Sequence, residues 1–355
     1  MIKKILVIQQ KMIGDVLVSS IVCQNLALEF PEAQIDYLVH DGTLPVLENN
    51  HSNFTIIPFS HQQRTSKIEL IKFALHIRKK KYDVVIDCYS KLESWIITGL
   101  SGASKRISFD KGYLNFLYTD VIKRHKTPIT NWGLTIEQRL NLLKPLGITQ
   151  PKVIKPTLVV NEKEKLYTQA FLNKNNVDSS RPLIMVSVLG SSESKTYPLS
   201  YMAQVIDWVI EYQPMNLLFN YIPTQRTEAE KLYHLCKPET QKYIYFDAIG
   251  KSLRDFIGLM DACTLIIGND GGAINMAKAL NKPAFTIFSP MIDKLGWNSF
   301  EDGNKYISVH LKDYHPEKIE KLSNAELKIQ NDNLYLDFQP ELFKPLLTHF
   351  LEQNA

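Results

Sequence analysis

The 355-residue chain contains little cysteine and no long apolar segment. No stretch stays apolar over the roughly 20 residues that a bilayer-crossing helix needs, so we expect none. The N-terminal apolar run ends after Ile8 without the small-residue cleavage site of a signal peptide, which favours a buried strand. The four scattered cysteines form no CxxC pair, and this favours a cytoplasmic protein over a disulfide framework; they are Cys23, Cys88, Cys236 and Cys263.

Patterns typical of metal and nucleic-acid sites are also missing. The nine histidines show no metal-ligand spacing, and no acidic pair follows a predicted strand. We therefore expect neither a structural nor a catalytic metal, and no other cofactor. No nucleic-acid-binding module and no alternation of aromatic and basic residues is present, which argues against a nucleic-acid partner.

Positive charge is concentrated in the first half of the chain. Residues 1–160 carry 21 Lys and Arg against 13 Asp and Glu, whereas residues 161–355 carry 20 against 24. This asymmetry favours an anionic partner for the first half. A solvated, lysine-rich surface is the alternative.

Short apolar runs alternate with amphipathic stretches in both halves, and this pattern predicts parallel βαβ units. The predicted strands are Ile5–Ile8, Ile35–Val39, Thr55–Ile57, Val84–Ile86, Leu183–Val188, Leu217–Phe219, Ile244–Phe246, Leu265–Ile267 and Ala284–Phe288. The predicted helices are Asp15–Phe30, Ile68–Lys81, Asn161–Asn173, Tyr201–Tyr212, Leu253–Met260, Gly271–Leu280 and Pro340–Leu351.

The pattern restarts after a stretch rich in proline and lysine, so we predict an α/β protein with two Rossmann-like, doubly wound domains facing a cleft. The N-terminal domain is predicted at 1–158 and the C-terminal domain at 159–335. A C-terminal helix within 336–355 is predicted to cross back and pack on the N-terminal domain. Ligands of such sheets bind at the carboxyl ends of the strands.

Residues 268–272, Gly-Asn-Asp-Gly-Gly, join a predicted strand to a predicted helix. Asp270 can cap that helix, and Gly271 and Gly272 let a ligand approach its unsatisfied amides. A helix N-terminus of this kind attracts phosphate by hydrogen bonds and by its dipole. A glycine-rich connection that only turns the chain is the alternative.

Two further loops follow the first strand of each domain. Asp15 stands at the start of the first helix, where it serves either as an N-cap or as a general base that accepts a proton from a sugar hydroxyl. In the second domain, Ser191, Ser192 and Lys195 lie in a polar loop and are candidates for contact with phosphate oxygens. A flexible polar loop without a ligand is the alternative.

These three loops, in this order, resemble those of glycosyltransferase family nine, the ADP-heptose:lipopolysaccharide heptosyltransferases. The likeness runs from Ile5 to the turn at Ser289, and its strongest part is residues 252–280. In that part the family usually has the string D-S/T-G-P-x-H-x-A-A-A-L. The resemblance implies a GT-B fold and an inverting, metal-independent transfer from ADP-heptose to a lipopolysaccharide core.

The resemblance also implies roles for individual residues. Asp15 matches the presumed catalytic base, and Lys11 and Gly14 lie on the acceptor side of the same loop. Lys195 matches a lysine that contacts the donor phosphates. The matching residues of the donor diphosphate site are Lys195, Ser191, Ser192, Asp270, Gly271, Gly272 and Asn275.

Three residues of the donor turn differ from the family pattern. Asn275 stands where the family has histidine, Gly271 replaces Ser or Thr, and Ala273 replaces proline. The loss of a hydroxyl and an imidazole weakens side-chain contact with the diphosphate but leaves the backbone amides. These departures concern the identity of the donor more than the fold.

The resemblance gives the basic first half a purpose, because a lipopolysaccharide acceptor is anionic and membrane-borne. Residues 78–81, Arg124 and Lys126 are predicted to hold the enzyme on the inner face of the cytoplasmic membrane. The alternatives are another nucleotide sugar, a protein or capsular glycan acceptor, a nucleotide-sugar epimerase, and a non-catalytic nucleotide-sugar binder.

Overall fold

The computed structural model describes residues 2–50 and 53–355. The chain divides into two compact units, Met1–Val159 and Val160–Ala355. Each unit contains a sheet of parallel strands with helices on its faces, which confirms the predicted fold class. Within the described ranges, no helix is both long enough and apolar enough to cross a membrane.

The first unit contains six strands. They are β1 (Lys4–Ile8), β2 (Gln34–His40), β3 (Thr55–Phe59), β4 (Val84–Asp87), β5 (Lys105–Phe109) and β6 (Asp120–Ile122), in the order β3-β2-β1-β4-β5-β6. Its helices are α1 (Ile13–Glu29), α2 (His61–Thr65), α3 (Lys67–Lys79), α4 (Leu92–Leu100) and α5 (Leu134–Asn141). The sequence patterns predicted β1 to β4, α1 and α3, but not the other elements.

Both faces of the first sheet are covered. Leu6 and Ile8 of β1 pack on one face with Phe73 of α3, in a cluster that also includes residues of α4. On the other face the Tyr37 hydroxyl of β2 donates to the Val16 carbonyl of α1 at 2.7 Å. A sheet buried on both faces explains why its central strands are continuously apolar.

The second unit has five strands. They are β7 (Leu183–Ser187), β8 (Asn216–Phe219), β9 (Leu265–Asn269), β10 (Ala284–Ile287) and β11 (Tyr306–Val309), in the order β11-β10-β9-β7-β8. Its helices are α6 (Glu162–Lys174), α7 (Leu199–Tyr212), α8 (Arg226–Leu235), α9 (Pro238–Gln241), α10 (Leu253–Ala262), α11 (Gly272–Ala279), α12 (Lys294–Trp297), α13 (Asn324–Asp337) and α14 (Lys344–Asn354). The patterns missed β11, α8, α9, α12 and α13.

The predicted strand at residues 244–246 is wrong. Only an isolated bridge joins Ile244 to Leu217. The chain then turns, and the Ala248 amide donates to the Tyr245 carbonyl at 3.0 Å. The Phe246 ring instead stacks on the Tyr221 ring with centroids 5.0 Å apart. The segment is therefore apolar because its side chains pack against neighbours, and not because it forms a strand.

The C-terminal helix α14 packs into the core of the second unit. Leu347, Phe350 and Leu351 belong to the same buried cluster as β7 and β10. The Phe350 and Phe285 ring centroids are 5.6 Å apart. These contacts account for its apolar face, and the predicted packing on the N-terminal domain stays a prediction.

Each sheet reverses the direction of its strand order beside its first strand. The reversal lies between β1 and β4 in the first unit and between β7 and β9 in the second. Successive helices leave this point toward opposite faces, and the carboxyl ends of the two strands there stay uncovered. These two edges are where ligand-binding residues are expected.

We predict that Phe350→Ala lowers the free energy of unfolding by about 3–5 kcal/mol, because a fully buried aromatic side chain is lost from the core. Urea unfolding followed by circular dichroism measures the change. Leu346→Ala, on the exposed side of the same helix, is the control and should cost less than about 1 kcal/mol. Equal losses in the two variants would show that α14 does not enter this core.

Candidate active site

The glycine-rich turn at residues 268–272 lies between β9 and α11, as predicted. The N-cap of α11 is Gly271, and no side chain caps the helix. The predicted cap by Asp270 is therefore wrong, because this residue precedes the N-cap by one position. The first amides of α11 are left for another acceptor.

Two glycines of this region are required by close backbone approach. Gly268 has φ +131°, and a Cβ there would lie 2.4 Å from the Ser187 carbonyl oxygen. A Cβ at Gly190 would lie 2.3 Å from the Lys195 carbonyl oxygen. At Gly271 a Cβ would meet nothing within 4 Å, so the Ser or Thr usual in the family would also fit.

The polar loop after β7 is joined to the end of β9. Asn269 accepts from the Tyr197 amide through Oδ1 at 2.7 Å and donates to the Ser187 carbonyl through Nδ2 at 2.9 Å. Lys195 ends a short 3₁₀ turn in this loop and is half-buried, whereas Ser191 and Ser192 are exposed. The structure thus brings the loop of Lys195 to the turn at residues 268–272.

Asp270 is half-buried, and two cations act on its carboxyl. Burial raises its pKa to about 6, and the positive charges of Lys195 and Lys278 oppose this rise. Lys278 donates to the Ser299 carbonyl at 2.6 Å and so anchors residues 296–300, a segment without a predicted role. Of these two charges, that of Lys195 has the larger effect on the pKa of Asp270.

Asn275, which replaces the family histidine, faces its own helix. Its Nδ2 donates to the Gly271 carbonyl at 3.4 Å. Because this bond goes to a carbonyl, it uses none of the amides at the start of α11. Among residues 2–50 and 53–355, no group of three or more His, Cys, Asp or Glu side chains is arranged to hold a metal ion.

In the first unit, Asp15 lies in the first turn of α1. The helix begins at Ile13 with Met12 as its N-cap, so Asp15 is not the N-cap. Its Oδ1 accepts instead from the Arg139 guanidinium of α5. Gly14 is buried and Lys11 half-buried in the same loop, and their acceptor-side roles stay predictions.

Arg139 was not identified from the sequence. Its Nε donates to Ser19 Oγ at 2.7 Å and its Nη1 to the Thr135 carbonyl at 2.9 Å. These bonds hold the guanidinium against α1 and orient the Asp15 carboxylate. Arg139 is 124 positions from Asp15 and lies on a helix that the patterns missed, so no local signal connects the two.

More cations surround the carboxyl edge of the first sheet. The Arg124 guanidinium lies 4.0 Å from the centroid of the Phe109 ring. Desolvation and the neighbouring Arg139 charge lower the pKa of Arg124, while Asp15 opposes this. Partial burial, Arg124 and Lys91 in turn lower the pKa of Lys111. Arg124 and Arg139 thus influence each other's charge, and Arg139 is the cation in contact with Asp15.

The predicted membrane cluster is split by the fold. Lys80, in the basic run at residues 78–81, accepts through its carbonyl from Lys4 Nζ at 3.4 Å. Lys4 begins β1, so this run lies at the amino edge of the sheet. Arg124 follows β6 and lies at the carboxyl edge. The run at residues 78–81 and Arg124 therefore do not form one continuous basic surface, since they lie at opposite ends of the strands.

Exposed apolar side chains also mark the carboxyl edge of the first sheet. The segments that follow β1, β4, β5 and β6 each contain at least one exposed apolar side chain. Each of these segments also has a lysine within a few residues of that side chain. Tyr113 and Phe116, in the turn after β5, are 81% and 77% exposed. The complete set is Met12, Leu92, Tyr113, Phe116 and Ile129. This edge is both basic and apolar.

Residues 70–324 match the model of glycosyltransferase family 9 (heptosyltransferase). The chain belongs to this family. It is 27% identical over 299 residues to lipopolysaccharide heptosyltransferase 2 of Escherichia coli K12, covering 81% of this chain and 83% of the relative. It is 25% identical over 300 residues to lipopolysaccharide heptosyltransferase 1 of Campylobacter coli, covering 80% and 83%.

Solved structures of glycosyltransferases share the fold of this family 9 enzyme. The Veillonella parvula family 9 enzyme has a TM-score of 0.72 at 16% identity, covering 94% of this chain and 97% of that one. The E. coli ADP-heptose lipopolysaccharide heptosyltransferase II has a TM-score of 0.68 at 21% identity, covering 94% and 99%. An E. coli heptosyltransferase with ADP-2-deoxy-2-fluoro heptose has 0.61 at 17%, covering 94% and 98%. The chain thus has the GT-B fold.

We predict that Asp270→Asn stabilises this glycosyltransferase increasingly as pH rises. The folded-state pKa of about 6 lies above the ordinary 3.8, so the stability that protonation contributes is present below pH 3.8 and is lost as pH rises through about 6. The variant cannot ionise and avoids that loss. Thermal unfolding from about pH 5 to about pH 8 should show its Tm advantage growing by at least about 2 °C.

Asp332→Asn, which changes an exposed carboxylate of α13, serves as the control for this measurement. Its Tm difference from the wild type should not vary with pH. A constant difference for Asp270→Asn would contradict the raised pKa of that carboxyl.

Proposed function

We propose that this family 9 glycosyltransferase transfers heptose from ADP-heptose to a lipopolysaccharide core hydroxyl, with inversion and without a metal ion. The observation that carries the proposal is the uncapped start of α11 at the strand-order reversal of the second sheet, where the loop of Lys195 is hydrogen-bonded to Asn269 at the end of β9. A leaving diphosphate needs positive charge of this kind, and the proposal takes it from backbone amides and one lysine.

The donor half of the proposal concerns the second unit. The open amides of α11 accept the diphosphate, and Lys195 neutralises part of its charge. Asp270 is better suited to accept a hydrogen bond from a sugar hydroxyl, because its carboxylate would repel a phosphate. The solved heptosyltransferase with ADP-2-deoxy-2-fluoro heptose supports an adenine nucleotide as the donor.

The acceptor half concerns Asp15. Its Oδ1 is held by Arg139, which in this proposal leaves Oδ2 to receive the proton of the acceptor hydroxyl. The hydroxyl oxygen bonds to the anomeric carbon as the bond from that carbon to the diphosphate breaks, and the electron pair leaves with the nucleoside diphosphate. Attack opposite to the leaving group inverts the anomeric centre, and alignment of the two reactants lowers the barrier further.

We predict that Asp15→Asn lowers kcat by about 10²–10⁴-fold and leaves the affinity for the donor unchanged, because only the proton acceptor is lost. Turnover is measured with ADP-heptose and a lipopolysaccharide core acceptor, and ADP binding by calorimetry. Glu32→Gln, at an exposed position that precedes β2 at the amino edge of the same sheet, is the control. Full activity of Asp15→Asn would overturn the assignment of the base.

The same preparation tests the alternatives. Thermal shifts with ADP, UDP and GDP should show a preference for ADP, whereas a clear preference for UDP would rule out the proposed donor. Isomerisation of the sugar nucleotide without an acceptor would indicate an epimerase. Donor binding without any turnover in the wild type would indicate a nucleotide-sugar binder.

We also propose that the carboxyl edge of the first sheet contacts the inner face of the cytoplasmic membrane. The support is the pairing there of exposed apolar side chains with lysines, which suits a surface with anionic headgroups and an apolar interior. A lipid-linked acceptor would then reach Asp15 from the same edge. The basic run at residues 78–81 has no part in this contact.

We predict that the double variant Tyr113→Ala/Phe116→Ala binds vesicles of anionic phospholipid roughly tenfold more weakly, because two aromatic side chains no longer enter the interface. Cosedimentation measures the binding, and added salt should weaken it further in every variant. Leu166→Ala/Ile329→Ala removes two comparably exposed apolar side chains from the second unit and is the control. Equal binding by the two double variants would refute this contact surface.

A further inference from the structure

The peptide bond between Ser194 and Lys195 is held at both of its polar atoms. The Lys195 amide donates to the Ser192 carbonyl at 3.0 Å. The Ser194 carbonyl accepts from Asn331 Nδ2 at 2.9 Å and from Ser289 Oγ at 2.9 Å. A peptide group fixed in this way cannot rotate without breaking three hydrogen bonds, so the position from which the Lys195 side chain starts is set.

Asn331 is built into the fold as a buried polar anchor. It is 2% exposed on α13, and its Oδ1 lies 3.1 Å from Ser289 Oγ. The single Ser289 proton is shared between this oxygen and the Ser194 carbonyl, so both ends of the Asn331 amide face polar partners, one in the Lys195 turn and one two positions after β10. An amide buried and satisfied in this way holds a single orientation.

The same helix supplies a second neighbour of the donor turn. Tyr335, one turn after Asn331 on α13, is 4% exposed. Burial raises the pKa of its phenol, and the charge of Asp270 raises it further. The helix thus neighbours both the Lys195 turn and Asp270, although Asn331 and Tyr335 fall after the segment that matches the family model.

We propose that Asn331 is a positioning residue of the donor site, which holds Lys195 where it meets the diphosphate. The inference rests on the proposed role of Lys195 and adds a residue that acts on the donor only through it. Loss of the Asn331 amide frees the Ser194 carbonyl to rotate, and Lys195 then samples positions away from Asp270 and the start of α11.

The test is the affinity of the full chain for ADP, measured by calorimetry. Asn331→Ala should weaken it about tenfold, the order expected for one positioning hydrogen bond. Asn216→Ala is the matched control, because Asn216 is also buried in the second unit and its Nδ2 donates to the Asp178 carbonyl at 2.6 Å. Asn216 begins β8, at the amino edge, so its loss should lower Tm without changing ADP affinity.

A double-mutant cycle distinguishes positioning from general destabilisation. If Asn331 acts through Lys195, Asn331→Ala should have little further effect on ADP affinity in a Lys195→Ala background. An equal effect in both backgrounds, or a fall in Tm with unchanged ADP affinity, would overturn the inference.

Lys195→Ala alone tests the role on which the inference rests, and unchanged ADP affinity in that variant would refute the proposed function of Lys195 itself. Ser289→Ala removes the second donor to the Ser194 carbonyl and carries the same test if Asn331→Ala does not fold. It should weaken ADP binding in the same direction and lose that effect in the Lys195→Ala background.

Discussion

Both units of this glycosyltransferase depend on one constraint, the reversal of strand order beside the first strand of a parallel sheet. At that point the connecting helices leave to opposite faces, and the carboxyl ends of two strands are left open. In the first unit this opening contains Asp15, and in the second it contains Asp270 and the loop of Lys195. The proposed base and the proposed phosphate contacts occupy equivalent places in two sheets.

Side chains from distant parts of the chain complete each opening. Arg139 orients Asp15 from α5, and Asn269 and Asn331 hold the loop of Lys195 from β9 and α13. Asp270 adds a cost, because burial raises its pKa and its ionised form is disfavoured in the folded state. A carboxylate that stays ionised despite desolvation lowers the stability of the folded state, but its charge remains available to interact with a ligand.

The surplus of positive charge in the first half has two unrelated origins in the structure. The run at residues 78–81 ends α3, where cations complement the helix dipole at the amino edge of the sheet. Arg124, Lys111 and Lys91 lie together at the other edge, around the proposed acceptor site. The net charge of the first half favoured an anionic partner. Only the structure shows that the cations at residues 78–81 and those near Asp15 lie at opposite ends of the strands.

Periodicity and the motif at residues 268–272 predicted the fold class, most central strands and the place of the donor turn, because buried parallel strands and glycine-rich turns carry local signals. Short or charged edge strands such as β6 carry little of that signal. The apolar segment at 244–246 was wrongly predicted as a strand, because its apolar side chains pack in the core while its backbone turns. The sequence by itself determined which loops follow which strands. The tertiary structure alone decided that Arg139 holds Asp15 and that Asn331 holds the Lys195 turn, since such pairs, more than a hundred positions apart, meet only when separate elements pack.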